Sequence, residues 1–242
     1  MTQVMVGPYN VSLEQPKTSG SFLNTTKEWL EGAKGAYDFM NLVKKSALAC
    51  GNTVLAATLT GYTSLTSTPY FLSLVAKHVN SGFEDLTPKL GFYNAMKWTH
   101  NVTEFCSMGL FSAAILDPMN KTIGNVAVVF DAVSDMSEVP TFLMDAVQAR
   151  TVLNLAKELN VSDDVQGGLL SKLQHSLIKL VKSVSASVNG FFASYAVVYG
   201  AALVAASTAL AFSLAATTCN VIDYFHQNCW SSHVAKEITL TA

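Results

Sequence analysis

The stretch SVSASVNGFFASYAVVYGAALVAASTALAFSLAATTCNVI, Ser183–Ile222, decides how the fold is read. It runs 40 residues without an Asp, Glu, Lys, Arg or His. Its centre, Phe191–Thr218, is apolar and rich in small residues. A helix crosses a bilayer with about 20 mostly apolar residues, so the run is long enough to insert. Phe191, Phe192, Tyr195, Leu203, Ala205, Leu210, Phe212 and Leu214 would then form its apolar span. The same run also suits the buried central helix of a soluble bundle, because Ala is only weakly apolar. Small residues recur at Ala201, Ala205 and Ala209, and at Ser207, Ala211 and Ala215. Such rows let two helices approach closely, either within one chain or between copies. Lipid and protein core both stand open as the setting of this run.

Directly before it, LLSKLQHSLIKLVKSV (Leu169–Val184) is amphipathic at helical spacing. Leu170, Leu173, Leu177, Leu180, Val181 and Val184 fall on one face, and Lys172, His175, Lys179 and Lys182 on the other. A basic face next to an uncharged run suits an anionic membrane surface. A solvated lysine face over a packed leucine face is the alternative.

Composition agrees with either setting. Charged residues make up 13 % of the 242, against about 25 % in an average soluble protein, and the mean hydropathy is +0.31. The net charge of −2 excludes the electrostatic footprint of a nucleic-acid binder. The charge is uneven: residues 101–166 carry 3 Lys/Arg against 9 Asp/Glu, whereas the flanking thirds are slightly basic. The start lacks a basic n-region and an apolar h-region, so no classical signal peptide is expected. Localisation is read as membrane-associated, or otherwise cytoplasmic or secreted without such a signal.

The remaining chain reads as helix after helix. Residues 1–21, with Gly7, Pro8, Pro16 and Gly20, read as a flexible polar tail. Residues 22–160 read as a helical bundle region. Within it, a second uncharged run, Ser46–Ala76, is split by Gly61 and Pro69 into two short helices. Further helices are expected at Lys89–Leu116, Met119–Met136 and, opened by Val139-Pro140, Thr141–Leu159. Residues 163–235 combine the basic amphipathic helix with the long apolar helix, and 236–242 form a tail. The fold class expected is all-α, a multi-helix bundle with a long uncharged apolar C-terminal helix.

Chemistry is sparse. Cys219, His226, Cys229 and His233 form the one dense set of metal-type ligands, with the last three at i, i+3 and i+7. That spacing matches no zinc motif. The four cysteines are too widely spaced to imply a disulfide framework. No nucleophile elbow, phosphate loop, dinucleotide fingerprint or HExxH appears. No enzyme, cofactor or metal is therefore expected.

The polar start of residues 1–21 and the uncharged runs Ser46–Ala76 and Ser183–Ile222 resemble, in layout, the type III-secreted inclusion-membrane proteins of chlamydia-like intracellular bacteria. The resemblance implies a secreted effector with hydrophobic lobes and helical cytosolic parts, and carries no residue roles. That group joins two lobes by a tight turn, whereas here the two runs lie more than 100 residues apart. Two functions follow from the sequence. One is a non-enzymatic membrane-associated helical protein that binds lipid or recruits a protein partner, including a second copy through its small-residue faces. The other is a soluble helical interaction module with residues 183–222 as its buried core helix.

Overall fold

The computed structural model describes residues 2–14, 22–88, 90–117, 119–230 and 234–240. Among these, strands β1 (Thr2–Val6) and β2 (Tyr9–Glu14) precede seven helices, and strand β3 (Val234–Leu240) follows them. The helices are α1 (Phe22–Glu31), α2 (Ala33–Ala49), α3 (Thr53–Asn80), α4 (Phe92–Leu116), α5 (Lys121–Glu158), α6 (Asp163–Tyr199) and α7 (Ala206–Phe225). The chain is thus mostly helical, as its composition indicates. It divides into two compact units. The first joins the residues up to Glu28, Phe142–Leu180 and those from Asn220 on; the second joins Trp29–Thr141 and Val181–Cys219.

Both expected tails are corrected in the first unit. Residues 2–14 form a hairpin whose turn uses Gly7 at φ +56, and residues 234–240 pair with its second strand, giving the antiparallel order β1-β2-β3. The remainder of the N-terminal tail, residues 15–21, lies outside the described residues. The sheet forms because its apolar side chains find a helical surface. Val6, Val11, Leu13, Ala235 and Ile238 pack against Ala149, Val152, Leu153 and Ala156 of α5 and Val165 and Leu169 of α6. The strand signal is weak locally, since β3 comes from the far end of the chain. Burial of one face supplies the stability that short strands lack alone.

The second unit is built differently. The turn between α2 and α3 uses Gly51 at φ +75, and the Asn52 side chain caps α3 by accepting from Leu55 N at 3.0 Å. Pro69 and Gly61 do not break the Ser46–Ala76 run as expected: α3 continues through both. Pro140 likewise sits inside one helix, α5, and does not open a new one. A proline removes one helical hydrogen bond at a cost of roughly 3 kcal/mol. Buried neighbours hold each helix together across it: Ser67, Tyr70 and Leu74 around Pro69, and Ser137, Glu138 and Thr141 around Pro140.

The inward face of α3 is Ala56, Leu59, Thr63, Ser67, Tyr70, Leu74 and His78. Its exposed face carries Leu55, Tyr62, Leu65, Leu72 and Val79. Large apolar side chains therefore stand on the outside of this helix as well as on its inside. The large apolar side chains in the interior of this unit are Trp29, Leu59 and a cluster of Tyr70, Leu74 and Met108 with Tyr37, Phe71, Phe105 and Phe111 against it. Close backbone approach makes up the rest: a Cβ on Gly190 of α6 would lie 2.9 Å from the Cβ of Ala132 of α5.

The long C-terminal apolar helix is also corrected. The run Ser183–Ile222 is divided: α6 ends at Tyr199, Gly200 turns at φ +70, and α7 begins at Ala206. A left-handed glycine just past a helix end is a preferred stop signal, and the Gly200 N–H closes the last turn onto Ala196 O at 2.9 Å. The two arms then return past each other, with Phe192 and Phe212 rings 6.2 Å apart. No helix among the described residues is long and apolar enough to cross a membrane.

Candidate functional site

The basic face of α6 is where sequence and structure differ most. Of the leucine face, Leu170, Leu177, Val181 and Val184 are exposed, while Leu173 and Leu180 are half-buried. His175, Lys179 and Lys182 instead turn onto acidic partners. The reason is that carboxylates on α5 and α7 are available at matching height, and a partly buried charge is held by an opposite one. Lys172 is half-buried and donates to the Lys236 carbonyl at 3.5 Å.

In the first unit, the His175 Nδ1 lies 2.5 Å from Asp223 Oδ1, and Lys179 Nζ lies 3.4 Å from Asp223 Oδ2. Gln227 donates to Asp223 Oδ2 at 2.9 Å, and Phe142 stands edge-on to the His175 ring. Burial would raise the Asp223 carboxyl, but the hydrogen bond from His175 and the Lys179 charge outweigh it and hold it below the usual carboxylate range. His226 donates from Nε2 to Gln174 Oε1 at 3.0 Å, and burial holds its imidazole below the usual value.

That engagement bears on the metal-type set. Cys219 and Cys229 are free thiols, both half-buried, and the α-helix gives way to a π-helical turn at His226–Trp230. The i, i+3 spacing of an α-helix is therefore not kept there. His233 lies outside the described residues. Among the described residues no three His, Cys, Asp or Glu side chains converge in a way that could hold a metal ion.

The second unit contains a larger polar assembly, in which Asp135 and Glu138 of α5 take part. Lys34 donates to the Tyr70 hydroxyl at 3.2 Å, and Tyr70 donates to Glu104 Oε1 at 2.8 Å. His100 Nε2 lies 3.7 Å from Glu104 and 3.2 Å from Glu138. Its Nδ1 lies 2.8 Å from Ser134 Oγ. Lys182 then bridges Glu138 at 2.6 Å and Asp135 at 3.1 Å, and Ser183 donates to Glu138 at 2.7 Å. The chain of contacts thus runs from exposed Lys34 through α3, α4 and α5 to α6. Lys45 donates to Thr217 Oγ1 at 2.6 Å and to the Ser213 carbonyl at 3.2 Å, tying α2 to α7.

The electrostatics follow from enclosure and pairing. Burial would raise Glu104; Lys34, His100 and the Tyr70 hydroxyl outweigh it and hold it low. Burial pushes the Tyr70 phenol well up, and pushes Lys45 down to about 8. Burial alone would lower Lys182, but Glu138 and Asp135 hold it above its ordinary value.

The expected apolar span is distributed around the bend. Phe191 and Leu203 are exposed, as are Ala205 and the neighbouring Val198, Tyr199, Ala201, Ala202 and Ala206. Phe192, Tyr195, Leu210, Phe212 and Leu214 are half-buried. The run is therefore exposed around the bend and half-buried along its arms, and Ala216 and Thr217 are its buried residues on α7.

Comparison with known proteins finds no matching family model, curated protein or solved structure.

Proposed function

We propose that this chain is a non-enzymatic, membrane-associated helical protein that docks on lipid through the bend of its uncharged hairpin. The observation that carries this reading is the bend itself. Val198 is 66 %, Tyr199 68 % and Leu203 46 % exposed, and the segment between them is glycine and alanine. Exposed apolar side chains at a tip, with no charge for many residues on either side, match a lipid surface better than water. The exposed apolar stripe of α3, in the same unit, agrees with it. So does the resemblance to inclusion-membrane proteins, because the bend at Gly200 gives the run two lobes joined by a turn.

The bend docks shallowly and does not cross. Its backbone is non-helical from Gly200 to Ala205, and each unpaired backbone group in hydrocarbon costs several kcal/mol. The backbone therefore stays at headgroup level while the side chains reach inward. Fully burying a Val or Leu side chain contributes about 1.5–3 kcal/mol, so a few such residues give weak, reversible attachment.

Flotation of the purified chain with anionic vesicles tests this. The double variant Val198→Asp/Leu203→Asp alters exposed positions, so its circular dichroism should match the parent. Vesicle binding should fall at least tenfold. Undiminished binding by a folded double variant would exclude the bend. A parent that never floats would instead favour a soluble interaction module, with these faces meeting a protein.

A further inference from the structure

The helices of the second unit run back and forth, and the printed levels of their contacts fix where each connection lies. Lys44 donates to Thr63, and the Tyr37 and Tyr70 rings stack at 5.6 Å, so α2 and α3 fold back on each other across the Gly51 turn. Tyr70 donates to Glu104, ten residues before the end of α3 and twelve after the start of α4, so α4 returns along α3. His100 of α4 meets Ser134 and Glu138 of α5, and residues 117–120 join the two helices. Glu138 meets Lys182 and Ser183 while Ala132 meets Gly190, so α6 runs antiparallel to α5. Ala132 lies eleven residues into α5, and Gly190 nine residues before the end of α6. At 1.5 Å per residue, the start of α5 and the end of α6 are therefore each about 15 Å from that contact, on the same side of it. Lys45, four residues before the end of α2, donates to the Ser213 carbonyl, seven residues into α7. The α2–α3 turn, the α4–α5 link and the α6–α7 bend thus share one end of the unit.

All three connections show apolar side chains to the outside. Besides Val198, Tyr199 and Leu203 of the bend, this end exposes Val54 at the α2–α3 turn, and Leu116 (88 %) and Met119 (91 %) at the α4–α5 link. The charged residues of the three connections and the helical turns bordering them are Asp117 and Lys121, one of each sign. The exposed polar groups beside the apolar ones, Thr53, Asn120 and Thr122, are uncharged. The connection from α3 to α4 lies at the opposite end. It exposes Phe83 and Leu90, but its sequence carries Glu84, Asp85 and Lys89, with Lys77 in the last turn of α3.

We propose that the second unit stands end-on to a lipid bilayer, with Val54, Leu116 and Met119 entering the same headgroup layer as the bend. This rests on the reading of the bend as a lipid-docking element, and adds two connections distant from it in sequence. The occupant follows from the form of the surface. Apolar side chains on three separate tips at one level meet a plane together, whereas a helix or strand of a protein partner needs a continuous groove or edge on one element. The near absence of charge at this end leaves little to desolvate, and uncharged hydroxyl and amide groups suit headgroup depth. Three weak contacts on one unit also reinforce one another: once one tip is docked, the others bind at high effective concentration. Loss of one tip should therefore weaken attachment by more than its own small area suggests.

The test uses the full chain and vesicles of mixed phosphatidylserine and phosphatidylcholine. In flotation, Leu116→Asp/Met119→Asp should bind at least about fivefold more weakly than the parent, with an unchanged circular dichroism spectrum. Leu90→Asp, at a position 98 % exposed at the opposite end, should bind as the parent does. Cys50, at the α2–α3 turn, is the exposed thiol of the four. A polarity-sensitive dye on it should shift its emission to the blue when vesicles are added. Binding that falls with Val198→Asp/Leu203→Asp but not with Leu116→Asp/Met119→Asp would leave the bend as a docking point and overturn the end-on surface. An equal loss with Leu90→Asp would overturn it too, because attachment would then not be confined to one end. If the link variant does not fold, the dye decides: no shift on vesicles that carry the parent upward overturns the proposal. A parent that does not float overturns both this surface and the reading of the bend.

Discussion

Removing the Lys182 ammonium should show how much of the second unit rests on charge pairing. In Lys182→Met, the stem keeps its volume while two carboxylates lose the cation that lies 2.6 Å from Glu138 and 3.1 Å from Asp135. All three side chains are less than a fifth exposed. Breaking a buried pair from one side costs about 3–5 kcal/mol. Ser183 still donates to Glu138 and His100 still lies against it, so the lower end, about 3 kcal/mol, is expected. For a chain of this size, that is a fall in Tm of about 6–12 °C. Adding Glu138→Gln should recover much of the loss, because Asp135 then has one like charge fewer beside it. The deficit should shrink on acidification, since carboxylates deprived of Lys182 take up protons more readily and the fold is then relieved of their charge. Urea unfolding followed by circular dichroism, at pH 5 and pH 8, measures all three effects. A cost below about 1 kcal/mol, equal at both pH values, would mean that the cluster is hydrated like a surface pair, and the reasoning would fail.

Three further outcomes follow from local geometry. Leu169→Ala empties a fully buried position between the sheet and α5, and should cost about 2–5 kcal/mol in chemical unfolding. Gly190→Ala puts a Cβ 2.9 Å from Ala132 Cβ and 3.0 Å from its Cα; the backbone must yield, at about 1–3 kcal/mol, and an unchanged Tm would show that α5 and α6 are not so close. Asp223→Asn removes a carboxyl held low by His175 and Lys179. A lowered acid gives stability that is present above its ordinary range and lost as pH falls through the folded value, so the variant should be weaker at pH 6 and converge with the parent in an acid-unfolding series.

Helical class, charge depletion and the positions of the uncharged runs were legible in the sequence, because they depend on composition and on spacing within one helix. The bend was half legible: Gly200 stands in the run, but a glycine inside an Ala-rich helix and one that ends it look alike until the backbone takes φ +70. The sidedness of α6 stayed open in the sequence, because amphipathic spacing reports that two faces differ and not which one turns inward. That depended on where Asp135, Glu138 and Asp223 arrive from other helices. The sheet was missed for the same reason, since β3 completes it from the opposite end of the chain. The sequence alone determined that helices with few charges would form, by local propensity and periodicity. The tertiary structure decided that several of those charges would be paired in the interior of the second unit, because the energy of a buried charge is set by its partners in space.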